Sequence, residues 1–592
     1  INSAEVLGKA SSNPGNGYYY GGTSITLTAE DGIGKFRGWS TGNSLDNGGK
    51  LLSTSKQYKL TLGSTLKVWA NFADPSDDLV VGATQWGIVY VPNGGINRST
   101  GDGSVYTVRT THAYTFSENP SKSENPHRCP NAQIDNGQFY RNGYVLTGYN
   151  TKPDGSGRFY APGWNIVMPD DGRITLYCVW EKETPASSFT YTKTSTEVTI
   201  KLYSGNDSKV VIPLTIDGVK VTSIASSAFR ACTSLKELVI SRNVKTISAS
   251  AVYSCPLLET VRITDAVTSM SDSWYSSCPS LKTLIISAQR MPTYQNGRNG
   301  TYSVKFEWMM TAPGNRIVVM SGSNSAYGVN APMLEKLLAE KGLNYSVINY
   351  GQNASCCQAV FIEACSKFMH EGDILLVAPE MNKRQYGDTE WYEGTQWQMV
   401  EGAYEIVSYI DISHYKKVYS TFASFNVAAA KRSAQTYETF TSDTVNAWGD
   451  YSLTKTGATS DWKKTLDSYD AAGGKGSVKF STSVSYITNA TYRNEINRVY
   501  DLCAAKGAKV LYTFPTIVKT CLTVEAQTAG SADHTAIMNA VDTYLHVTRI
   551  STPDTYIMDR QYSYNSNYHL NTAGQTIRTQ RLAADIAAYF NK

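Results

Sequence analysis

The sequence predicts a multidomain chain: small β-rich modules, then a short solenoid, then a three-layer α/β domain at the carboxyl end. Three observations carry that prediction. The chain is 592 residues long, enough for about three to five domains at roughly 100–200 residues each. A ladder with a 23-residue period runs through its middle, marked by Cys232, Cys255 and Cys278. After about residue 313, short apolar runs alternate with amphipathic ones, the pattern of a parallel sheet covered on both faces.

Composition narrows the function classes. Hydrophobic residues are 41% and charged residues 18% of the chain, a balance of globular domains, not of disordered chains or coiled coils. Net charge is +4, from 54 basic and 50 acidic residues with no long basic run, so no nucleic-acid partner is expected. No apolar run approaches the ~20 residues of a membrane span, and the polar opening Ile1-Asn2-Ser3 carries no signal pattern. Gly 46 and Tyr 40, with abundant Ser, Thr and Asn, match secreted β-rich surface proteins. An extracellular or cell-surface location is therefore expected. Ten cysteines without a CxxC pair suggest neither a disulfide scaffold nor zinc. The Cys356-Cys357 pair reads as buried thiols in a helix.

Residues 1–77 read as short strands. Gly21-Gly22-Thr23 precedes the alternation Ile25-Leu27, then come Phe36-Arg37-Gly38-Trp39 and a final run from Tyr58 to Phe72. Apolar alternation punctuated by Gly and Asn signals a small antiparallel unit. The Gly-Gly-Thr-x-Ile-x-Leu-x-Ala run and the following Gly-Trp-Ser resemble the InlB B-type repeat. Residues 79–183 form a second module, from Ile88-Val89-Tyr90-Val91-Pro92-Asn93-Gly94-Gly95 to Leu176-Tyr177-Cys178-Val179-Trp180-Glu181. Their order resembles the Listeria–Bacteroides repeat, which implies a β-grasp-like spacer. The stretch Asn97 to Asp135 is longer than that pattern, and exposed tyrosines leave a carbohydrate-binding role open.

Residues 186–290 hold the ladder. Leu235, Leu258 and Leu281 follow each Cys by three, and Ile240, Ile263 and Ile286 by eight; Ile224, Ile247 and Met270 keep the register upstream. A period in this range is a leucine-rich-repeat solenoid in which each coil buries its face against the next. The cysteines are then stacked small hydrophobes rather than metal ligands or disulfides. About three coils are visible, near the minimum for a stable stack, so a neighbouring domain is expected to cap one end. Ala228-Phe229-Arg230-Ala231-Cys232-Thr233-Ser234-Leu235 resembles the BspA-type repeat of bacterial surface proteins. That resemblance implies adhesion, with a host or cell-surface protein as partner, or a spacer.

Residues 313–592 predict strands at Arg316–Met320, Tyr345–Tyr350, Asp373–Val377 and Lys509–Phe514. Helices are expected at Met333–Lys341, Cys357–Met369, Tyr492–Lys506, His534–Leu545 and Thr572–Phe590. Ligands in such sheets sit at the carboxyl ends of the strands, where Gly322-Ser323-Asn324, Tyr350-Gly351-Gln352-Asn353-Ala354 and Pro379-Glu380-Met381-Asn382 fall. A Ser after a strand and a Gly can present its hydroxyl to a cleft, with a nearby amide for an oxyanion. His569, in Tyr568-His569-Leu570-Asn571 before the last helix, is a candidate base; His414, His534 and His546 read as solvated or packing residues.

These four blocks, in this order, resemble the SGNH (GDSL-like) hydrolase superfamily. The resemblance implies a flavodoxin-like three-layer domain with Ser323 as nucleophile and His569 as general base. The amides of Ser323 and of Gly351 or Ala354 would form the oxyanion hole. It implies a serine esterase or acyltransferase acting on acyl esters, with an O-acetylated glycan or envelope polysaccharide as partner and no metal or organic cofactor. Two positions depart from the family. The family places an Asp three residues before the His, where this chain has Ser566; Asn565, four before, stands where related envelope sequences carry a carboxylate, with Asp559 or a backbone carbonyl as substitutes. Glu380 stands near the oxyanion-hole Asn and would repel an oxyanion unless protonated or turned away. Asn324, Asn353 or Asn382 are candidate donors in its place. These departures leave a degenerate, non-catalytic adhesion or surface protein as the alternative. An insertion of about 383–489 carries Trp391, Tyr392, Trp397, Trp448 and Trp462, which suit either sugar stacking or a packed subdomain.

Overall fold

A computed structural model describes residues 7–15, 20–64, 66–77, 85–111, 127–129, 137–169, 172–290, 302–432, 450, 455–473 and 476–591. The chain divides into two compact units. One comprises Ile1–Ala113, His127–Pro162 and Ile166–Glu183; the other is mainly Thr184–Lys592.

Among its described residues the first unit is built of strands with one short 3-10 helix, Leu45–Asn47. Its opening part holds an antiparallel sheet of Gly8–Asn13, Ser24–Asp31 and Gln57–Thr61. A second sheet has Phe36–Thr41 between Lys50–Ser53 and Val68–Phe72. The expected run from Tyr58 to Phe72 is thus two strands in two sheets. Ile25, Leu27 and Ala29 alternate inward and meet Trp39, with Phe36, Tyr58 and Phe72 packed around them; period-2 burial is what a one-faced sheet requires. In the later part, Arg173–Lys182 pairs parallel with Gln85–Val91 and antiparallel with Tyr144–Asn150. Most of the long stretch from Asn97 to Asp135 lies outside the described residues.

The second unit opens with the solenoid. Each coil contributes three short strands to three parallel sheets, and the sheet partners repeat the sequence period: Phe229, Val252 and Tyr275 align, as do Leu238, Val261 and Leu284. The residue before each Cys turns a corner in the left-handed region, at φ 53° for Ala231, 53° for Ser254 and 55° for Ser277. Cys255 and Cys278 are buried free thiols, as the ladder predicts, whereas Cys232 is half-buried.

The last coil is covered from the α/β side. Within the 383–489 insertion, Glu405–Ser408 and Val418–Ala429 are helices packed on the strands Thr283–Ser287 and Ser269–Met270. Tyr419 stacks edge-on against Trp274, with centroids 4.9 Å apart. Asn426 Nδ2 donates to Val267 O at 3.0 Å while its Oδ1 accepts from Arg290 at 3.1 Å.

Five parallel strands build the α/β sheet. In sequence they are Arg316–Ser321, Ser346–Asn349, Ile374–Ala378, Lys509–Tyr512 and Thr548–Arg549, and in space they run in the order 2-1-3-4-5. The first and third strands are buried throughout, as strands covered on both faces must be. Its longer helices outside the insertion are Tyr302–Thr311, Ala331–Ala339, Gln358–Ser366, Ala490–Ala504, Ala532–Tyr544 and Thr572–Tyr589. Cys357 caps the third of these from outside, so the Cys356-Cys357 pair is buried in the turn before the helix rather than within it. No helix among the described residues is long and apolar enough to cross a membrane.

Candidate active site

The order 2-1-3-4-5 reverses direction between the first strand and its neighbours, which opens a crevice at the strands' carboxyl ends. The first strand ends at Ser321, and a six-residue helix, Ser323–Gly328, begins at once. Gly322 permits this sharp turn because a Cβ there would lie 2.4 Å from Glu380 Oε1. The second strand runs into Gly351, where a Cβ would meet the Ala326 amide nitrogen at 2.3 Å. Both loops therefore press against the short helix.

His569 arrives from the far end of the chain. The loop before the last helix is pinned by a bridge between Ser563 and Leu570, by Tyr564 N donating to His569 O at 2.9 Å, and by Asn571 capping the helix through Gly574 N. This sets His569 Nε2 at 2.7 Å from Ser323 Oγ, and Nδ1 at 2.5 Å from Asn565 Oδ1. The imidazole lies flat on the Tyr327 ring, 4.0 Å between centroids at 14°. Ser323, His569 and Asn565 are thus one hydrogen-bonded chain, 246 residues apart in sequence at its Ser–His link. Such a chain can move a proton from a hydroxyl to a ring nitrogen.

The expected oxyanion donors are less uniform. Gly351 N is turned to Asn349 Oδ1 at 3.0 Å, so this amide is already engaged. Ala354 faces the turn, its Cβ 3.0 Å from where a Gly322 Cβ would sit. Asn353 is exposed, and its Oδ1 accepts from Ser355 N. Asn324 is buried, its Nδ2 spent on Ser321 Oγ, Ala378 O and Glu380 Oε1, so it does not face the cleft. Asn382 Oδ1 caps the short helix Lys383–Tyr386. Asp559 lines a separate groove with Lys463, Asp470, Lys519 and Arg560.

Glu380 is not turned away. It is 4% exposed, and its Oε1 accepts from Asn324 N at 2.6 Å and lies 3.3 Å from Ser323 Oγ. Burial pushes its carboxyl above the usual range; hydrogen bonds from Asn324 and the Arg578 charge oppose this and fall short.

Several supporting residues carry no motif. Tyr327 lies one helical turn beyond Ser323, and the Lys455 ammonium sits over its ring at 5.3 Å. Burial lowers Lys455 to about 8. Lys305, wholly buried on the first helix, donates to Gly351 O, and burial lowers it to about 7. Arg578 on the last helix donates to Asn324 O at 2.8 Å. No sequence pattern marked Tyr327, because the short helix that carries it and the ring it stacks on are both set by tertiary contacts.

Of the three other histidines weighed from the sequence, His534 is buried and its Nε2 lies 2.8 Å from Ala526 O, while His414 and His546 pair with Glu495 and Asp501. The insertion's Trp391 and Trp397 are buried against each other, 4.7 Å between centroids, so packing and not sugar stacking accounts for them. Trp462 bonds Ser563 in the histidine loop, and Trp448 lies outside the described residues.

Residues 202–296 match the BspA type leucine rich repeat region, in six copies. A solved leucine rich repeat protein of T. pallidum is similar at 21% identity and a TM-score of 0.13, covering 17% of this chain and 71% of that one. No curated protein matches the chain. The chain is therefore multidomain, with a strand-rich amino-terminal part, BspA-type repeats and an α/β carboxyl-terminal part.

Proposed function

We propose that residues 313–592 are an SGNH-type serine esterase or acyltransferase acting on acyl esters, with O-acetylated glycans as the substrate class. The observation that carries this is the Ser323–His569–Asn565 chain at the carboxyl edge of a parallel sheet whose 2-1-3-4-5 order is that of flavodoxin-like folds. Ser323 Oγ attacks the ester carbonyl as its proton passes to His569 Nε2. The alcohol leaves with that proton, and water or an acceptor hydroxyl repeats the cycle on the acyl-enzyme. Asn565 holds the ring by its Nδ1 proton but adds no charge, so turnover is slow beside a carboxylate-backed triad. BspA-type repeats support display at a cell surface, with the β modules as spacers and the repeats as a surface for a host or cell-surface protein.

A fluorophosphonate probe tests the reading. Ser323 is expected to take the label, with loss of at least ~100-fold in rate for Ser323→Ala and His569→Ala at an unchanged melting temperature. A folded wild type that takes no label sinks the proposal. It would favour the second reading, a non-catalytic adhesion protein, for which the occupation of the Asn324 amide by Glu380 already speaks.

A further inference from the structure

The protons of the site can be counted. Asn565 Oδ1 accepts, so the ring proton of His569 sits on Nδ1 and Nε2 is bare. Bare Nε2, at 2.7 Å, takes the single hydroxyl proton of Ser323. The contact between Ser323 Oγ and Glu380 Oε1 at 3.3 Å then holds no hydrogen unless Glu380 brings one. An ionised carboxylate is acceptor only: it either draws the Ser323 proton away from His569 or opposes lone pair to lone pair. His569 and an ionised Glu380 therefore compete for one proton, and the base-competent arrangement requires the acid.

We propose that Glu380 is a third catalytic residue of this site, working as a carboxylic acid whose proton leaves that of Ser323 free for His569 and then serves as the hydrogen bond to the substrate's carbonyl oxygen. This rests on the esterase reading. The protein is built for the contact: Gly322 clears the space beside Oε1, and the Asn324 amide and side chain fix that oxygen. Two titratable or charged groups face it, Tyr568 from the loop and Arg578 from the last helix. Arg578 favours ionisation, but burial outweighs it. In the reaction the Oγ–C bond forms, the Ser323 proton goes to Nε2, and the carbonyl π pair moves to oxygen, which accepts from Glu380 without taking its proton. Collapse returns that pair, and the leaving alcohol carries off the His569 proton.

The test is the pH profile of fluorophosphonate labelling in the full chain. Wild-type labelling is expected to fall with rising pH as Glu380 ionises, with no parallel fall in melting temperature. Glu380→Gln, which keeps a donor that cannot ionise, should label within about tenfold of wild type and lose that fall, whereas Glu380→Ala should lose about 100-fold or more. A folded Glu380→Gln as inert as Ser323→Ala, or one that keeps the fall, overturns the acid role while leaving the esterase reading standing. If the glutamine variant does not fold, the wild-type profile decides: a rate that does not fall as pH rises overturns the proposal. A wild type unlabelled at every pH overturns the esterase reading and this role with it.

Discussion

Asn565 shows how much one atom decides. Its Oδ1 fixes the His569 tautomer as an aspartate would, but without charge to stabilise imidazolium. Asn565→Asp is therefore expected to raise the labelling rate of Ser323 by about tenfold or more, and Asn565→Ala to lower it by a similar factor, measured by labelling kinetics at pH 7. Lys305 makes a stability prediction. Its folded value is about 7 against the ordinary 10.5, so between those values the unfolded chain holds a proton that the folded chain has shed. Stability rises with pH through that window, and the penalty is complete below its lower edge. Lys305→Met should stabilise the protein by about 1–3 kcal/mol at pH 6, after the lost bond to Gly351 O is subtracted, with the gain shrinking by pH 10. Urea titrations at the two pH values check this. A gain that does not shrink with pH would contradict the assignment.

At the scale of elements, the solenoid was the most legible part of the sequence. A coil's inward positions must recur at the same place on each turn, so Leu235, Leu258 and Leu281 reveal the fold directly. The α/β strands were legible for a related reason, since continuous apolar runs such as Ile374–Ala378 survive only under two covering layers. The short helix Ser323–Gly328 was not. Its residues, Ser-Asn-Ser-Ala-Tyr-Gly, have weak helix propensity, and contacts to Glu380 and Arg578 hold it instead. At the opposite end of the sheet, Arg316 and Asp373 form a buried ion pair, 2.6 Å apart. Asp373→Ala leaves an uncompensated guanidinium and should cost about 3–5 kcal/mol, read as a lowered melting temperature with the Ser323 geometry out of reach of the change.

At the scale of the whole molecule, the cap on the solenoid turns two sequence domains into one compact unit. The expectation of a neighbouring domain closing the stack is met by the insertion helix Val418–Ala429, which buries Tyr419 against Trp274 and Tyr275. Tyr419→Ala should cost about 3–5 kcal/mol and weaken the repeats and the α/β sheet together. Hydrogen exchange would read this as faster opening in both Thr283–Ser287 and Val418–Ala429. Faster exchange confined to one of them would show that the two regions unfold independently.

Sequence alone determined what depends on repetition and local pattern: the 23-residue coil, the strand–helix alternation, and Ser323 and His569 as candidates because each follows a recognisable turn or precedes a helix. It could not determine what depends on distant residues sharing a few ångströms. That Asn565 bonds His569, that the Gly351 amide is engaged by Asn349, and that Glu380 is buried against the Ser323 hydroxyl were decided by the tertiary structure. The reason is physical: the protonation and hydrogen-bond direction of a polar group follow from burial and from the neighbours that compete for its protons, and neither is a property of its place in the chain.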